Sequence, residues 1–259
     1  MAPLALAHHD WGGQGETVLV LHGLFGSGRN WQRIGRRLTA HHRVVGVHMR
    51  NHGESPWAAS MTYPDMAADV LALLDELGLE RAALVGHSMG GKAAMVAALT
   101  APERVRRLAV VDIAPVPYDH DHRSEIDAMR GLDLGAVRAR ADADAALAAA
   151  IPDASLRAFL LQNLASDAGG YRWRCNLDGI DAHMDELTDF PPLDEVYEGP
   201  VLLLSGGRSD YVDDAGRNAM RTHFPNTRFE HWPEAGHWPH VERPDDVAAL
   251  LRDFVDAGY

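Results

Sequence analysis

The stretch Leu84-Val85-Gly86-His87-Ser88-Met89-Gly90-Gly91 decides the fold. The apolar run 82–85 enters it and the helix-prone run 92–99 leaves it, so a strand turns sharply into a helix at Ser88. Such a turn strains its central residue, and glycines two residues before and after it remove the Cβ atoms that would clash. The hydroxyl then lies at the tip of the turn, beside a helix N-terminus that favours negative charge. The pattern is typical of a serine nucleophile, although a glycine-rich turn with an incidental serine has the same pattern.

Short apolar runs alternate with helical patterns over most of the chain. The predicted strands lie at 17–21, 43–47, 82–85, 108–113, 201–205 and 227–232, and most are apolar throughout, as in strands buried on both faces. The predicted helices lie at 30–38, 63–77, 90–101, 213–223 and 245–256. This alternation requires crossovers between parallel strands. The sequence therefore predicts an α/β fold with a mostly parallel central sheet flanked by helices.

The alternation stops between residues 116 and 195, where no buried strand run is present. Inside this segment, helical patterns lie at 124–132, 135–150 and 155–164, and a more extended pattern lies at 171–174. We interpret 116–195 as a helical lid inserted between the last-but-two and last-but-one core strands. Residues 1–115 and 196–259 then form the core.

Composition and charge disfavour several classes of function. The 259 residues are 46% hydrophobic and 24% charged, as in an ordinary globular protein, and the formal net charge is −13. Such an acidic chain disfavours nucleic acid and anionic membranes as partners, because phosphates attract basic surfaces. A single cysteine, Cys175, excludes an internal disulfide and a multi-cysteine metal site. No signal-peptide pattern and no apolar run of about 20 residues are visible, so we expect a cytoplasmic monomer or small homo-oligomer without membrane insertion.

A serine nucleophile needs a base, and His237 is the best-placed candidate. It lies in the loop between the last predicted strand and the last predicted helix. In a parallel sheet this loop emerges at the same edge as Ser88. His231 and His240 flank it and are the fallback candidates.

Two aspartates are candidates for the acid that orients the histidine. Asp210 follows the predicted strand 201–205, which is the usual position, and Asp112 ends the predicted strand 108–113. Both carboxylates lie at strand ends on the edge that carries the serine. The residues alone therefore do not decide which aspartate orients the histidine, and either could instead be a turn-capping residue.

The turn His22-Gly23-Leu24 supplies a further element of acyl chemistry. It closes the first buried strand, and the N–H of Leu24 can pair with that of Met89 as an oxyanion hole. Histidine and glycine after a strand are a weak signal by themselves, since a plain turn has the same pattern.

Five motifs, in order along the chain, resemble the YbfF-type esterase branch of the α/β-hydrolase fold. They are HGLFGS at 22–27, MRNHG at 49–53, GHSMGGK at 86–92, DIAPV at 112–116 and AGHW at 235–238. The resemblance runs from about Val18 to Asp256. It implies a single-domain serine esterase with a helical lid that acts without a cofactor. The roles it implies are Ser88 as nucleophile, His237 as base, and Leu24 and Met89 as oxyanion donors.

The resemblance also bears on the acid. In this branch the position after the seventh strand is often not acidic, whereas the aspartate of the DIAP motif is regular, which favours Asp112 over Asp210. One departure is His48, where the branch usually has aspartate. The loss of that acid puts in doubt how Arg50 or His52 is held.

The expected substrate is a small-molecule carboxylic ester with a short to medium acyl chain, cleaved through an acyl-enzyme. Serine at the turn disfavours dehalogenase and epoxide-hydrolase chemistry, which needs a carboxylate there. Thioesterases, perhydrolases and carbon–carbon hydrolases share the serine, so the sequence does not exclude these three activities. Plausible apolar walls of the substrate pocket, with core packing as the alternative for each, are Phe25, Phe159, Leu160, Trp173 and Trp238.

Three other function classes are weaker alternatives. Residues 86–92 also match a phosphate-binding P-loop, but the position that should carry a hydroxyl for Mg²⁺ is Ala93. A metal hydrolase is disfavoured because no histidine pair has His-Glu-x-x-His spacing, so we expect no metal. A non-enzymatic binding module on the same fold is disfavoured by the complete set of triad residues.

Overall fold

The computed structural model describes residues 2–119 and 121–257. Its β-strands are β1 (His8–Asp10), β2 (Thr17–Leu21), β3 (Arg43–Val47), β4 (Ala82–His87), β5 (Val105–Val111), β6 (Leu164–Asp167), β7 (Gly170–Trp173), β8 (Val201–Gly206) and β9 (Thr227–Trp232). Its α-helices are α1 (Gln32–Leu38), α2 (Tyr63–Glu76), α3 (Met89–Thr100), α4 (Arg123–Arg130), α5 (Arg140–Leu147), α6 (Ala154–Leu160), α7 (Leu177–Ala182), α8 (Met184–Thr188), α9 (Asp214–His223), α10 (Pro239–Glu242) and α11 (Pro244–Asp256). Short 3₁₀-helices lie at Gly28–Trp31, Pro102–Arg104 and Leu161–Asn163. Among the described helices, none combines the length and the apolar character needed to cross a bilayer.

The main sheet has seven strands in the order β1-β3-β2-β4-β5-β8-β9. β1 pairs antiparallel with β3, and every other neighbouring pair is parallel. All residues of β2, β4 and β8 are buried, because helices cover both faces of the sheet. The predicted mostly parallel sheet flanked by helices is confirmed, and each predicted core strand is present.

Two hydrophobic clusters lie on opposite faces of this sheet. In one, Ile34 of α1 and Leu251 of α11 pack with Val85 of β4. In the other, Val70 of α2 packs with Leu84 of the same strand. Neighbouring residues of a strand point to opposite faces, so β4 contributes to both clusters. This double packing fixes the end of β4, from which Ser88 projects.

The loops that carry the predicted site residues converge at one edge of the sheet. Ser88 follows β4, the central strand, which has β2 on one side and β5 on the other. Leu24 lies beyond the end of β2, and Asp112 follows β5 directly. His237 lies beyond the end of β9. The parallel topology therefore brings these four residues to the carboxyl edge of the sheet.

Residues 116–195, which we call the insertion, leave the core after β5 and return to it at β8, its neighbour in the sheet. The insertion holds α4 to α8 and the antiparallel hairpin β6–β7. Helices α4 and α6 agree with the predicted helical stretches, but only Arg140–Leu147 is helical in the alanine-rich stretch. Strand β7 agrees with the extended pattern predicted at 171–174, whereas its partner β6 is not predicted, because a four-residue strand is too short for a clear pattern. The role of the insertion as a lid stays a prediction.

Two parts of the core sheet also differ from the prediction. β1 is a three-residue, mostly polar edge strand, so no apolar pattern predicts it. β5 begins at Val105 rather than Leu108. Its residue Arg107 is buried, because the guanidinium lies over the Phe254 ring and donates to a backbone carbonyl. A charged residue inside a strand thus hides the start of that strand in the sequence.

A buried ion pair clamps the loop after β3 to α2. Arg50 and Asp69 are 2% and 0% exposed, and two hydrogen bonds join them, Nε to Oδ2 at 2.7 Å and Nη2 to Oδ1 at 2.8 Å. The carbonyls of Ser60 and Asp65 accept from the same guanidinium. Asp69 therefore supplies the carboxylate at Arg50, and the histidine at position 48 does not leave this arginine without a partner.

Asp69→Ala is expected to lower the free energy of unfolding by about 3–5 kcal/mol, because it leaves a buried positive charge uncompensated. Asp75→Ala is the matched control on the same helix. Its carboxylate is 70% exposed and lies 2.6 Å from Arg104, so its loss should cost less than about 1 kcal/mol. Urea unfolding of both variants tests the difference, and equal losses would contradict the clamp.

Candidate active site

The turn between β4 and α3 holds Ser88 in a left-handed conformation, with φ 50° and ψ −121°. Its N–H donates to the carbonyl of Val111 at 3.1 Å, and its carbonyl accepts from the N–H of Lys92 at 3.0 Å. A β-carbon at Gly86 would lie 2.3 Å from the carbonyl oxygen of Gly90, so only glycine fits there. The sharp turn expected from the sequence is present and is fixed on both sides.

His237 and Asp112 share a hydrogen bond at this edge. Nδ1 of His237 donates to Oδ2 of Asp112 at 2.8 Å, and the carboxylate is fully buried. Oδ1 accepts from the N–H of Gly206 at 2.7 Å, and the hydroxyl of Ser209 donates to Oδ2. With Nδ1 as the donor, a neutral His237 has its lone pair on Nε2, which can then accept a proton.

The structure brings Asp112, and not Asp210, to His237. Asp210 is exposed, and in residues 2–119 and 121–257 no hydrogen bond or ion pair joins it to the imidazole. Asp112 stands just beyond β5 with φ 54°. Because β5, β8 and β9 are consecutive in the sheet, its carboxylate reaches across the end of β8 to the loop after β9.

Neighbouring rings hold His237 in place. The ring of Tyr211 stacks on the imidazole, with centroids 4.0 Å apart and an interplanar angle of 22°. His87 donates from Nε2 to the carbonyl of His237 at 2.8 Å, and burial lowers the pKa of His87 well below its usual range. Of the fallback candidates, His231 is exposed, and His240 is buried with its pKa lowered by burial to about 3.

Leu24 and Met89 have the backbone groups that an oxyanion hole needs. In the described part of the chain, neither N–H has a hydrogen-bond acceptor. Met89 is the first residue of α3, where helical N–H groups are unpaired. A β-carbon at Gly23 would lie 2.8 Å from Nδ1 of His87 and 3.3 Å from Cβ of Ser88, so glycine allows the loop after β2 to approach the turn. The oxyanion role itself stays a prediction.

Two buried histidines hold the loop after β2. Nε2 of His52 accepts from the N–H of Phe25 at 3.1 Å, and its Nδ1–H donates to the carbonyl of Arg50 at 2.9 Å. Nε2 of His22 accepts from the N–H of Met49 at 3.0 Å. Burial lowers the pKa of His52 to about 4 and that of His22 well below its usual range, where the adjacent His52 adds to the effect. Both rings are therefore neutral at pH 7, as acceptors must be.

The insertion contacts the same loop. Phe25 is buried with φ 58°, and its carbonyl accepts from Nδ2 of Asn163 at 2.6 Å. Asn163 itself is buried and lies at the end of the 3₁₀-helix that follows α6. The N–H of Phe25 is thus held from the core and its carbonyl from the insertion.

Ser88 lines two cavities, of about 40 and 160 Å³. A third cavity, of about 620 Å³, shares part of its lining with the second. Among the predicted substrate-binding residues, Phe25, Phe159 and Trp238 line the cavity of about 160 Å³.

Leu160 and Trp173, the other two predicted substrate-binding residues, line none of these three cavities. Both are buried in the hydrophobic core, and Nε1 of Trp173 donates to the carbonyl of Met129 at 3.0 Å. The structure places them in the core rather than on the cavity wall, because an apolar pattern does not tell which face of the insertion turns toward the serine.

Lys92 is a buried lysine one helical turn beyond Ser88. Its Nζ donates to the carbonyls of Val116, Thr188 and Asp189 at 3.0, 3.1 and 2.7 Å. Burial lowers the pKa of Lys92 to about 7, and the Asp189 carboxylate opposes this shift. The three contacts tie the serine's helix to both ends of the insertion. They also argue against the P-loop alternative, because the lysine donors are already used by carbonyls.

One group of metal-ligand side chains lies outside this site. His9, His48 and Glu54 place ligand atoms within 4.8 Å of one another. Arg29 pairs with Glu54 at 2.9 Å and donates to Nε2 of His9 at 3.4 Å, so a guanidinium already provides the positive charge there. His48 is buried, and neither ring nitrogen has a hydrogen-bond partner among the described residues. Burial lowers its pKa to about 4, which keeps the ring neutral at pH 7.

Three residues of the site have no role in the esterase mechanism that the sequence predicts. Lys92 has a usable signal, because it is the one charged residue in the helix Met89–Thr100. Ser209 and Tyr211 flank Asp210, and nothing in that loop distinguishes them before the chain folds. They come to the site only because the loop after β8 packs beside Asp112 and His237.

Known proteins resemble this chain over nearly its whole length. A family model described as the alpha/beta hydrolase fold matches residues 16–244. Esterase YbfF of Escherichia coli (strain K12) is 32% identical over 240 residues, which cover 92% of each chain. The sn-1-specific diacylglycerol lipase ABHD11 of Mus musculus is 38% identical over 266 residues, covering 98% of this chain and 86% of its own. The solved structure of a marine microorganism esterase has a TM-score of 0.94 and 34% identity, covering 97% of this chain and 99% of its own.

The neutral His52 predicts a pH dependence of stability. Its pKa is about 4 in the folded chain against an ordinary 6.5, so unfolding takes up a proton below pH 6.5. The contribution of His52 to the free energy of unfolding is complete above pH 6.5 and is lost as the pH falls toward 4. The loss is about 2 kcal/mol between pH 7 and pH 5. His52→Gln should lose about 2 kcal/mol less than wild type over that interval in urea unfolding. His41→Gln, at an exposed histidine, is the control, and an unchanged pH slope in His52→Gln would contradict the prediction.

Proposed function

This chain belongs to the α/β-hydrolase fold family and is a serine hydrolase of the carboxylesterase type, and we propose that Ser88, His237 and Asp112 form its catalytic triad. The observation that carries the proposal is the 2.8 Å hydrogen bond from Nδ1 of His237 to Asp112. The imidazole lines a cavity together with Ser88. A base that is oriented by a buried carboxylate and lies beside a strained serine is the arrangement that acyl transfer needs.

The mechanism follows from these positions. Nε2 of His237 takes the proton of Ser88 as the hydroxyl oxygen attacks the ester carbonyl. Asp112 holds the tautomer that leaves Nε2 unprotonated, and it stabilises the imidazolium that forms. The N–H groups of Leu24 and Met89 bind the negative oxygen of the tetrahedral intermediate. His237 then protonates the leaving alcohol, and water releases the acid from the acyl-enzyme by the same steps.

A carboxylic ester is the substrate class that this chemistry fits, and the acyl chain is short to medium. No step requires a cofactor, because the oxyanion is met by backbone donors and the proton by His237. The insertion acts as a lid in this proposal. It contributes Phe159 to the wall of a cavity that Ser88 lines, and its Asn163 holds the carbonyl of Phe25.

The proposed setting is a cytoplasmic monomer or small homo-oligomer whose partner is a small-molecule ester. The single cysteine, Cys175, is free and buried, and burial raises the pKa of its thiol to about 12. An inert thiol of this kind is compatible with a reducing compartment.

Ser88→Ala is expected to lower kcat for p-nitrophenyl acetate on the order of 10⁶-fold, because the attacking oxygen is lost while the fold is kept. Labelling by a fluorophosphonate, located by mass spectrometry, should fall on Ser88 in the wild type and be absent in the variant. Matching thermal unfolding curves provide the control for folding. A variant that keeps a rate near wild type would remove Ser88 from the mechanism.

Asp112→Asn and Asp210→Asn form a matched pair that tests which aspartate orients His237. Asp112→Asn should lower kcat on the order of 10⁴-fold, since an amide at that position favours the wrong tautomer of His237. Asp210→Asn should stay close to wild type, because its carboxylate is exposed and away from the imidazole. Steady-state rates at pH 8 provide the measurement, and equal losses in the two variants would count against Asp112.

A further inference from the structure

The two cavities that Ser88 lines differ in size and in lining. We call the cavity of about 40 Å³ the small compartment; beside Ser88 it is lined by Tyr63, Lys92, Ile113, Met184 and Leu187. We call the cavity of about 160 Å³ the large compartment; beside Ser88 it is lined by Phe25, Leu156, Phe159, His237 and Trp238. Leu24, His122 and Tyr211 also line both, so an oxyanion held by the N–H of Leu24 would lie where the two compartments meet.

The position of His237 decides which half of an ester each compartment receives. The imidazole must return its proton to the leaving alcohol, so the alcohol has to lie on the side of the ring. His237 lines the large compartment and does not line the small one. The acyl chain therefore extends the other way, into the small compartment.

One wall of the small compartment is fixed to the core. It is formed in part by Leu187 of α8, whose carbonyl accepts from the hydroxyl of Tyr63 at 2.7 Å. The next two carbonyls, of Thr188 and Asp189, accept from Nζ of Lys92 at 3.1 and 2.7 Å. Carbonyls at the end of a helix have no partner within the helix, so the hydroxyl of Tyr63 and Nζ of Lys92 supply the missing donors. A wall held in this way resists displacement by a long acyl chain.

The large compartment instead continues into further space. It shares His87, Leu156, Phe159 and Trp238 with the cavity of about 620 Å³. Trp238 is 37% exposed, and its ring centroid is 6.2 Å from that of Phe159. An alcohol larger than the large compartment can therefore extend past these two rings.

We propose that this hydrolase is selective for short acyl groups and accepts bulky, apolar alcohols, and that Leu187 and Met184 limit the acyl length. The inference rests on the triad proposed above, which assigns the alcohol to the side of His237. The small compartment has about a quarter of the volume of the large one, so it admits the shorter acyl groups.

The test compares p-nitrophenyl butyrate with p-nitrophenyl octanoate in one enzyme sample, so that the ratio of kcat/KM values does not depend on the folded fraction. The wild type should favour butyrate by at least about tenfold, because the extra methylenes have no cavity to enter. Leu187→Ala should shift the ratio toward octanoate by at least about tenfold. Met184→Ala changes the same wall and replaces Leu187→Ala if that variant does not fold.

Phe159→Ala is the matched control in the large compartment. It should leave the butyrate-to-octanoate ratio unchanged and should alter the kcat/KM ratio between ethyl acetate and 2-(naphthyl)ethyl acetate. The wild type should cleave the bulky acetate at least as efficiently as ethyl acetate.

Four outcomes are decisive. A wild type that cleaves octanoate as well as butyrate would overturn the inference while leaving the triad intact. An acyl ratio that moves in Phe159→Ala but not in the wall variants, or a bulky acetate cleaved far more slowly than ethyl acetate, would also overturn it. A lack of hydrolysis of every ester would overturn the proposed function and this inference with it.

Discussion

Backbone strain at the carboxyl edge of the sheet is the constraint on which the site depends. In the described chain, the non-glycine residues with positive φ are Phe25, Asn51, Ser88 and Asp112, at 58°, 64°, 50° and 54°. They follow β2, β3, β4 and β5, which lie side by side in the sheet. Each such conformation costs about 1–3 kcal/mol and persists only where surrounding contacts impose it. The fold thus concentrates its strain where the serine, the buried carboxylate and the loop after β2 meet.

The contacts that hold Phe25 in its strained conformation form a buried chain of hydrogen bonds. Asp69 of α2 holds the guanidinium of Arg50, whose carbonyl accepts from His52, and His52 accepts in turn from the N–H of Phe25. Asn163 of the insertion holds the carbonyl of the same phenylalanine. A helix of the core and a turn of the insertion therefore fix one loop from two directions. Every member of the chain is buried, so an unpaired group anywhere along it would be costly.

Much of this arrangement is readable from the sequence, because it depends on local rules. The glycines around Ser88, the apolar strands and the last strand–helix loop predict the fold, the serine and His237 without any long-range contact. The prediction fails where polarity hides structure, as in the edge strand β1 and at Arg107 inside β5. It does not separate the two roles considered for Leu160 and Trp173, since an apolar side chain looks the same in the sequence whether it packs in the core or lines a cavity.

The sequence by itself determined the class of fold, the turn at Ser88 and the edge of the sheet to which His237 belongs, because periodicity and glycine positions act over a few residues. Only the tertiary structure shows that Asp112, and not Asp210, contacts the imidazole of His237. Both aspartates follow strands of the same edge, and the choice depends on a carboxylate reaching across the end of β8, which no local pattern encodes. The unequal compartments beside the serine are likewise tertiary, because α8 lines only the small compartment, where Tyr63 and Lys92 hold its last carbonyls.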